Sequence, residues 1–210
     1  MIVFASGEGV TDIGRSNPNY EDVKGPMMKL IEFNIKERGI ECEFKVINRE
    51  ELKKCKPIIL PCKKNKENKK YFFKNAYNLS NIVKKNPKYK TELLLVVLFR
   101  DSDTTDKKKW KDKYDSIKEG FKAGECEKGI PMLPRTSSEV WLLSSVLNSH
   151  KMNEENLEDI RDRDALKKEL EGKIGNNNIS DYNFIFSNIS DEIKSYKQFK
   201  LDLDLVLNAS

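Results

Sequence analysis

The stretch TELLLVVLFRDSD, Thr91 to Asp103, decides how this chain is read. Leu93 to Phe99 are seven consecutive apolar residues, the pattern of a strand buried on both faces in a parallel sheet. They predict the central strand. Charge follows at once, because Arg100, Asp101 and Asp103 stand where that strand ends. In open parallel sheets ligands sit beyond the carboxyl ends of the strands, where loops converge. The i, i+2 spacing of Asp101 and Asp103 sends both side chains to one side of an extended segment.

Working outward, MIVFASGEGVTDIG (Met1–Gly14) opens with a short buried strand, Met1 to Ser6, followed by Glu8 and Asp12 among glycines. Asp22 to Arg38 carries Val23, Met27, Leu30, Ile31 and Ile35 at helical spacing, and Gly39 stops it. ECEFKVIN alternates as a half-buried strand, with Cys42, Phe44 and Val46 on one side. Residues 49–70 read as an exposed, lysine-rich insertion, since KKNKENKK (Lys63–Lys70) has too little apolar content to pack. The segment from Tyr71 shows a helical stripe of Phe72, Phe73, Ala76, Leu79, Ile82 and Val83, ending before Pro87.

Beyond the central strand, Asp106 to Gly124 forms a basic amphipathic helix with Trp110, Tyr114, Ile117 and Phe121 inward. GIPMLP, from Gly129, is an edge strand because of its prolines. SSEVWLLSSVL begins a helix at an N-cap serine. Strand and helix alternate through Leu147, which predicts an α/β fold: a mainly parallel sheet flanked by helices. Residues 1–150 make one domain in this reading, and the charged residues 151–210 a helical C-terminal extension.

Composition bounds the function classes. With 210 residues, 38% apolar and 35% charged, the chain can close one sizeable core. Net charge is +5, but 34 acidic residues offset 39 basic ones, so attraction to nucleic acid has to come from local clusters. Four irregularly spaced cysteines and no leader-like segment point to reduced thiols and a cytoplasmic location. A single histidine, His150, leaves zinc short of ligands. No apolar run is long enough to span a membrane. There is no GxxxxGK[ST] motif, so any ATP chemistry belongs to another protein.

Three acidic clusters fall at predicted strand ends: Glu8 with Asp12, Asp101 with Asp103 and nearby Asp106, and Glu139. Singly, each fits ordinary turn or helix-capping chemistry. Together they repel at neutral pH unless protons or cations relieve them. Magnesium, which prefers hard oxygen ligands and is held by few carboxylates plus phosphate oxygens, is the simplest cation. It can activate water against a phosphodiester, and Gly7 and Gly9 would allow close approach of a phosphate.

These residues carry a resemblance. EGVTD after IVFAS is similar to the glutamate motif of Toprim domains, and DSD after LLLVVLFR is similar to their DxD motif, in the same order. More closely, the chain resembles small bacterial Toprim-like defence proteins encoded beside an ATPase, related to the nuclease half of the overcoming-lysogenisation-defect family. RTSSEVWLLSS, with Glu139 and Trp141, matches their late acidic-Trp helix, and EDIRDRDALKKEL is a looser echo. The resemblance implies a Toprim-like fold and a magnesium-dependent nuclease, with manganese as a substitute. Glu8, Asp101 and Asp103 would be catalytic and metal-ligating, and Asp12 and Glu139 supporting ligands. It also implies an antiviral role gated by a separate ATPase. A non-catalytic binding or regulatory subunit of an ATPase complex is the alternative. Assembly into an oligomer stays open. Ser6 and Gly7 depart from the bulkier residues usual before the glutamate, and the lysine-rich insertion has no counterpart.

Nucleic acid is the expected polyanionic partner. Lys107, Lys108 and Lys109 begin just beyond the acidic segment, and Arg100 and Arg135 stand at strand ends where a guanidinium could take a phosphate bidentately.

Overall fold

Side chains of strands β1 (Ile2–Ser6) and β5 (Leu94–Phe99) alternate between two apolar layers, as the strand repeat of two requires. Ile2, Phe4, Leu94, Val96 and Leu98 enter one cluster; Val3, Ala5, Leu95, Val97 and Phe99 enter the other. Both strands are buried along their whole length, which is why their sequences are unbroken apolar runs. The computed structural model describes residues 1–9, 12–15, 23–55, 67–87, 93–146, 157–176 and 182–208.

The sheet is parallel throughout, with β4 (Glu43–Val46) beside β1, then β5, then β6 (Gly129–Met132). β1 is in register with β5 from Ile2 opposite Leu94 to Ser6 opposite Leu98. The α/β class is therefore as expected, and β5 is interior. β6 lies at the edge, where Pro131 leaves no ladder donor missing on an inner strand. A short antiparallel pair, β2 (Gly14–Arg15) with β3 (Val23–Lys24), sits between β1 and the first helix.

That helix, α1 (Pro26–Lys36), is shorter than the Asp22–Arg38 span read from periodicity. Val23 is drawn into the hairpin instead, and Pro26 starts the helix because it lacks the N–H that a first turn leaves unused. The lysine-rich segment is also more ordered than expected at both ends. Arg49–Lys53 forms α2, closed by a reciprocal Asn48–Glu51 capping box, and buries Leu52. The long helix α3 (Glu67–Lys84) begins before Tyr71. Residues 56–66 of that segment, with Cys62, lie outside the described residues, as does His150. Cys42, Cys55 and Cys126 form no disulfide.

α3 and α4 (Lys107–Ala123) cover one face of the sheet. On the other lie α1, α5 (Ser138–Val146), α6 (Arg163–Asn176), α7 (Tyr182–Ser187) and α8 (Lys194–Asn208). The C-terminal segment, expected as an extension beyond the core, is part of it. Leu166, Leu170, Phe186, Tyr196, Phe199 and Leu203 share one cluster with the sheet. Trp141, fully buried on α5, donates its indole N–H to Ser195 Oγ at 2.8 Å and packs on Tyr196 and Phe199. On the opposite side of α8, buried Asp202 accepts from the Tyr114 hydroxyl and from Lys118 of α4, fastening α8 across β6. No described helix is long and apolar enough to cross a membrane.

Candidate active site

The order β4, β1, β5, β6 means the chain leaves β1 toward one side and returns to build the other. The crevice at such a switch point opens between the carboxyl ends of β1 and β5. Glu8 and Asp101 each lie two residues beyond those strands. The DSD segment is held by a continuation of the β5–β6 ladder. Ser102 N donates to Pro134 O at 3.1 Å, Asp103 N to Thr136 O at 3.0 Å, and Ser102 Oγ accepts from Thr136 N.

Asp12 is placed by the hairpin and by α1. Its carbonyl accepts from Met27 N at 2.9 Å, and Gly25 N donates to Ile13 O at 3.0 Å. Gly14 makes this approach possible: its φ is +100°, and a Cβ there would stand 1.7 Å from the Val23 carbonyl oxygen. Gly7 has a different use from the phosphate approach expected of it, since a Cβ there would press within 2.3 Å of Ile13 Cγ1. It is a packing glycine.

Asp101 is nearly buried and its two carboxyl oxygens have different partners. Oδ1 accepts from Ser138 N at 2.9 Å, so it caps α5 from another loop, where the helix dipole favours a negative group. The Ser137 hydroxyl, at the expected N-cap position, has no hydrogen-bond partner. Asp101 Oδ2 pairs with Arg163 Nη2 at 2.6 Å, and Asp103 Oδ1 pairs with Nη1 of the same guanidinium, also at 2.6 Å. Both aspartates thus point to one side as their spacing suggested, although Asp103 is left-handed, with φ +49°, rather than extended.

The acids act on one another. Burial pushes the Asp101 carboxyl up to about 8, Arg163 pulls it down by less, and Glu139, Asp12 and Asp103 add to the rise. Asp12 is also raised, by burial first and then by Glu139 and Glu8, against Arg163. Burial works against the charge on Arg163, but Asp101 and Asp103 more than compensate and raise its pKa. Glu139 Oε2 is buried with no hydrogen-bond partner. The five predicted acids therefore share one electrostatic neighbourhood. Among the described residues, however, no three Asp, Glu, His or Cys side chains are gathered closely enough to hold a metal ion.

As donors, these residues fit magnesium in kind, since it takes carboxylate oxygens and needs only one or two from protein when water and phosphate complete its shell. The unpartnered Glu139 oxygen, and the Asp101 and Asp12 carboxyls raised by burial first and by neighbouring acids second, are groups that a cation would favour in their charged form.

Two predicted phosphate ligands are placed otherwise. Arg100 has no exposed surface; it donates to Phe99 O at 2.7 Å and lies over the Tyr71 ring. Burial lowers its pKa, while Tyr71 and Glu8 oppose the fall. Arg135 is buried as well, donating to Glu158 O and pairing with Asp159 at 2.6 Å. Lys107, Lys108 and Lys109 are exposed on the first turn of α4, which Asp106 caps through Lys108 N and Lys109 N.

Three further residues belong to the site, of which the sequence reading gave a role to Lys113 alone, as the end of the lysine run Lys107 to Lys113 that could contact phosphates. Tyr71 donates to Glu8 Oε1 at 3.4 Å. Lys113, half-buried, donates to Ser102 O; burial lowers its pKa, while Asp103 and Glu8 raise it. Arg163 is the third. Lys113 ends a run that reads equally as phosphate contact or solvated charge, Arg163 lies in a charged helix and Tyr71 beside an apolar stripe, so no local signal placed them at the acids. Comparison with protein-family models, with curated proteins and with solved structures gives no match. Fold and site together define an α/β protein with a parallel sheet covered on both faces and acidic residues at its switch point.

Proposed function

We propose that the protein is a magnesium-dependent nuclease of the Toprim type, hydrolysing nucleic-acid phosphodiesters. The observation that carries this reading is the shared electrostatic neighbourhood of Glu8 and Asp12 beyond β1, Asp101 and Asp103 beyond β5, and Glu139 on α5. Asp101 and Asp103 would hold the ion, with Glu8, Asp12 and Glu139 supporting. Bound there, magnesium would supply an activated water and charge for the leaving oxygen.

The chain's own residues do the rest. Tyr71 orients Glu8 through its hydroxyl, leaving the other carboxylate oxygen to accept a proton. Lys113, within the field of Asp103 and Glu8, brings a cation beside the acids. Lys107 to Lys109, exposed at the start of α4, would receive backbone phosphates. The antiviral setting and gating by a separate ATPase follow from the resemblance.

Glu8→Ala, or Asp101→Ala with Asp103→Ala, should abolish magnesium-dependent cleavage of plasmid or transfer RNA while the circular dichroism stays native. Cleavage retained by these variants would reject the assignment. A second reading, a regulatory subunit without turnover, is favoured by the pairing of both DSD carboxylates with Arg163. Inactivity of the wild-type chain with and without the ATPase, in magnesium and in manganese, would select it.

A further inference from the structure

Resting on the metal-site reading above, we infer that Arg163 is a built-in counter-cation that closes the acidic site, so that a divalent ion enters only by displacing its guanidinium from Asp101 and Asp103. The two 2.6 Å ion pairs use one nitrogen each, so a single side chain spans both carboxylates. A divalent ion held by these two carboxylates would have to share them with the guanidinium. Guanidinium and metal therefore compete, and occupancy by one lowers the apparent affinity for the other.

The surroundings make the contact a latch rather than part of the packing. Asp162 Oδ1 caps α6 through Ala165 N at 3.0 Å, Arg161 reaches Thr105 Oγ1 at 3.4 Å, and Leu166 and Leu170 anchor the helix in the core. The preceding segment is tied down separately, by Thr136 Oγ1 and Arg135 to Glu158 O and by Ser195 N to Glu158 Oε1. Position is thus set without Arg163, whose side chain is 46% exposed and has solvent to turn into. The latch is a single residue of the C-terminal segment, 60 positions from Asp103 and 62 from Asp101. A partner or substrate phosphate that engages Arg163 would open the site to the ion.

Manganese binding to the full chain, followed by the electron paramagnetic resonance of the free ion, tests this. Arg163→Gln should bind manganese at least about tenfold more tightly than wild type. Arg163→Lys keeps the charge but not the two-pronged fork, and should fall between them. The thermal shift on adding manganese should likewise be larger in both variants. Affinity unchanged or weakened in folded Arg163→Lys, with binding still lost in Asp101→Asn, would overturn the latch and leave the metal site standing. Absence of manganese binding in every form would overturn both.

Discussion

Asp101→Asn should make the metal-free protein more stable, and increasingly so as pH rises. The carboxyl moves from 3.8 to about 8 on folding, chiefly by burial. Below about pH 4 it is protonated in both states and adds nothing. Between about pH 4 and about pH 8 the unfolded chain releases the proton and the folded chain keeps it, so folding weakens by about 1.4 kcal/mol per pH unit. The full window is worth about 6 kcal/mol. Asparagine removes that cost and keeps an oxygen for Ser138 N, but it gives up the hydrogen bond from Arg163, about 1 to 3 kcal/mol. The variant should then gain about 3 to 5 kcal/mol at about pH 8 and little or nothing at about pH 5. Urea unfolding in chelator, read by far-ultraviolet circular dichroism across that range, measures the difference. A variant whose stability runs parallel to wild type at every pH would refute the reasoning.

Other outcomes follow from the same contacts. Trp141→Ala should cost about 3 to 5 kcal/mol, because the fully buried indole joins α5 to Ser195, Tyr196 and Phe199, and urea melts would show it. Asp202→Ala should cost about 1 to 3 kcal/mol by taking from the Tyr114 hydroxyl the acceptor of its proton. In the same variant the Tyr114 phenol, held high by burial and by Asp202, should titrate at lower pH in an ultraviolet spectrum. Gly14→Ala should lose about 1 to 3 kcal/mol through strain at φ +100°. It should also reduce magnesium-dependent cleavage, since Asp12 rides on the same turn; cleavage unchanged beside a lowered melting temperature would separate hairpin from site.

Much of this architecture was legible in local patterns. The apolar runs of β1 and β5 have no polar position to face water, so they could only be inner strands, and Pro131 confined its strand to an edge. Gly39 and Gly124 ended their helices where periodicity lapsed. Acids placed just beyond β1 and β5 lie at the same end of the sheet because adjacent parallel strands end on one side, a consequence of order and direction alone.

What only the tertiary structure decided is which charges meet. A guanidinium in a charged helix, such as Arg163, has the same local signature whether it faces water or two aspartates some sixty residues away. Arg100 and Arg135, read as open to phosphate, are enclosed because helices and loops remote in sequence close over them. The C-terminal helices looked too polar to join a core, yet sparse apolar positions such as Leu166 and Leu170 suffice once the sheet offers a complementary face. Periodicity is written along the chain within a few turns, whereas burial and ion pairing depend on surfaces that exist only after distant segments have packed.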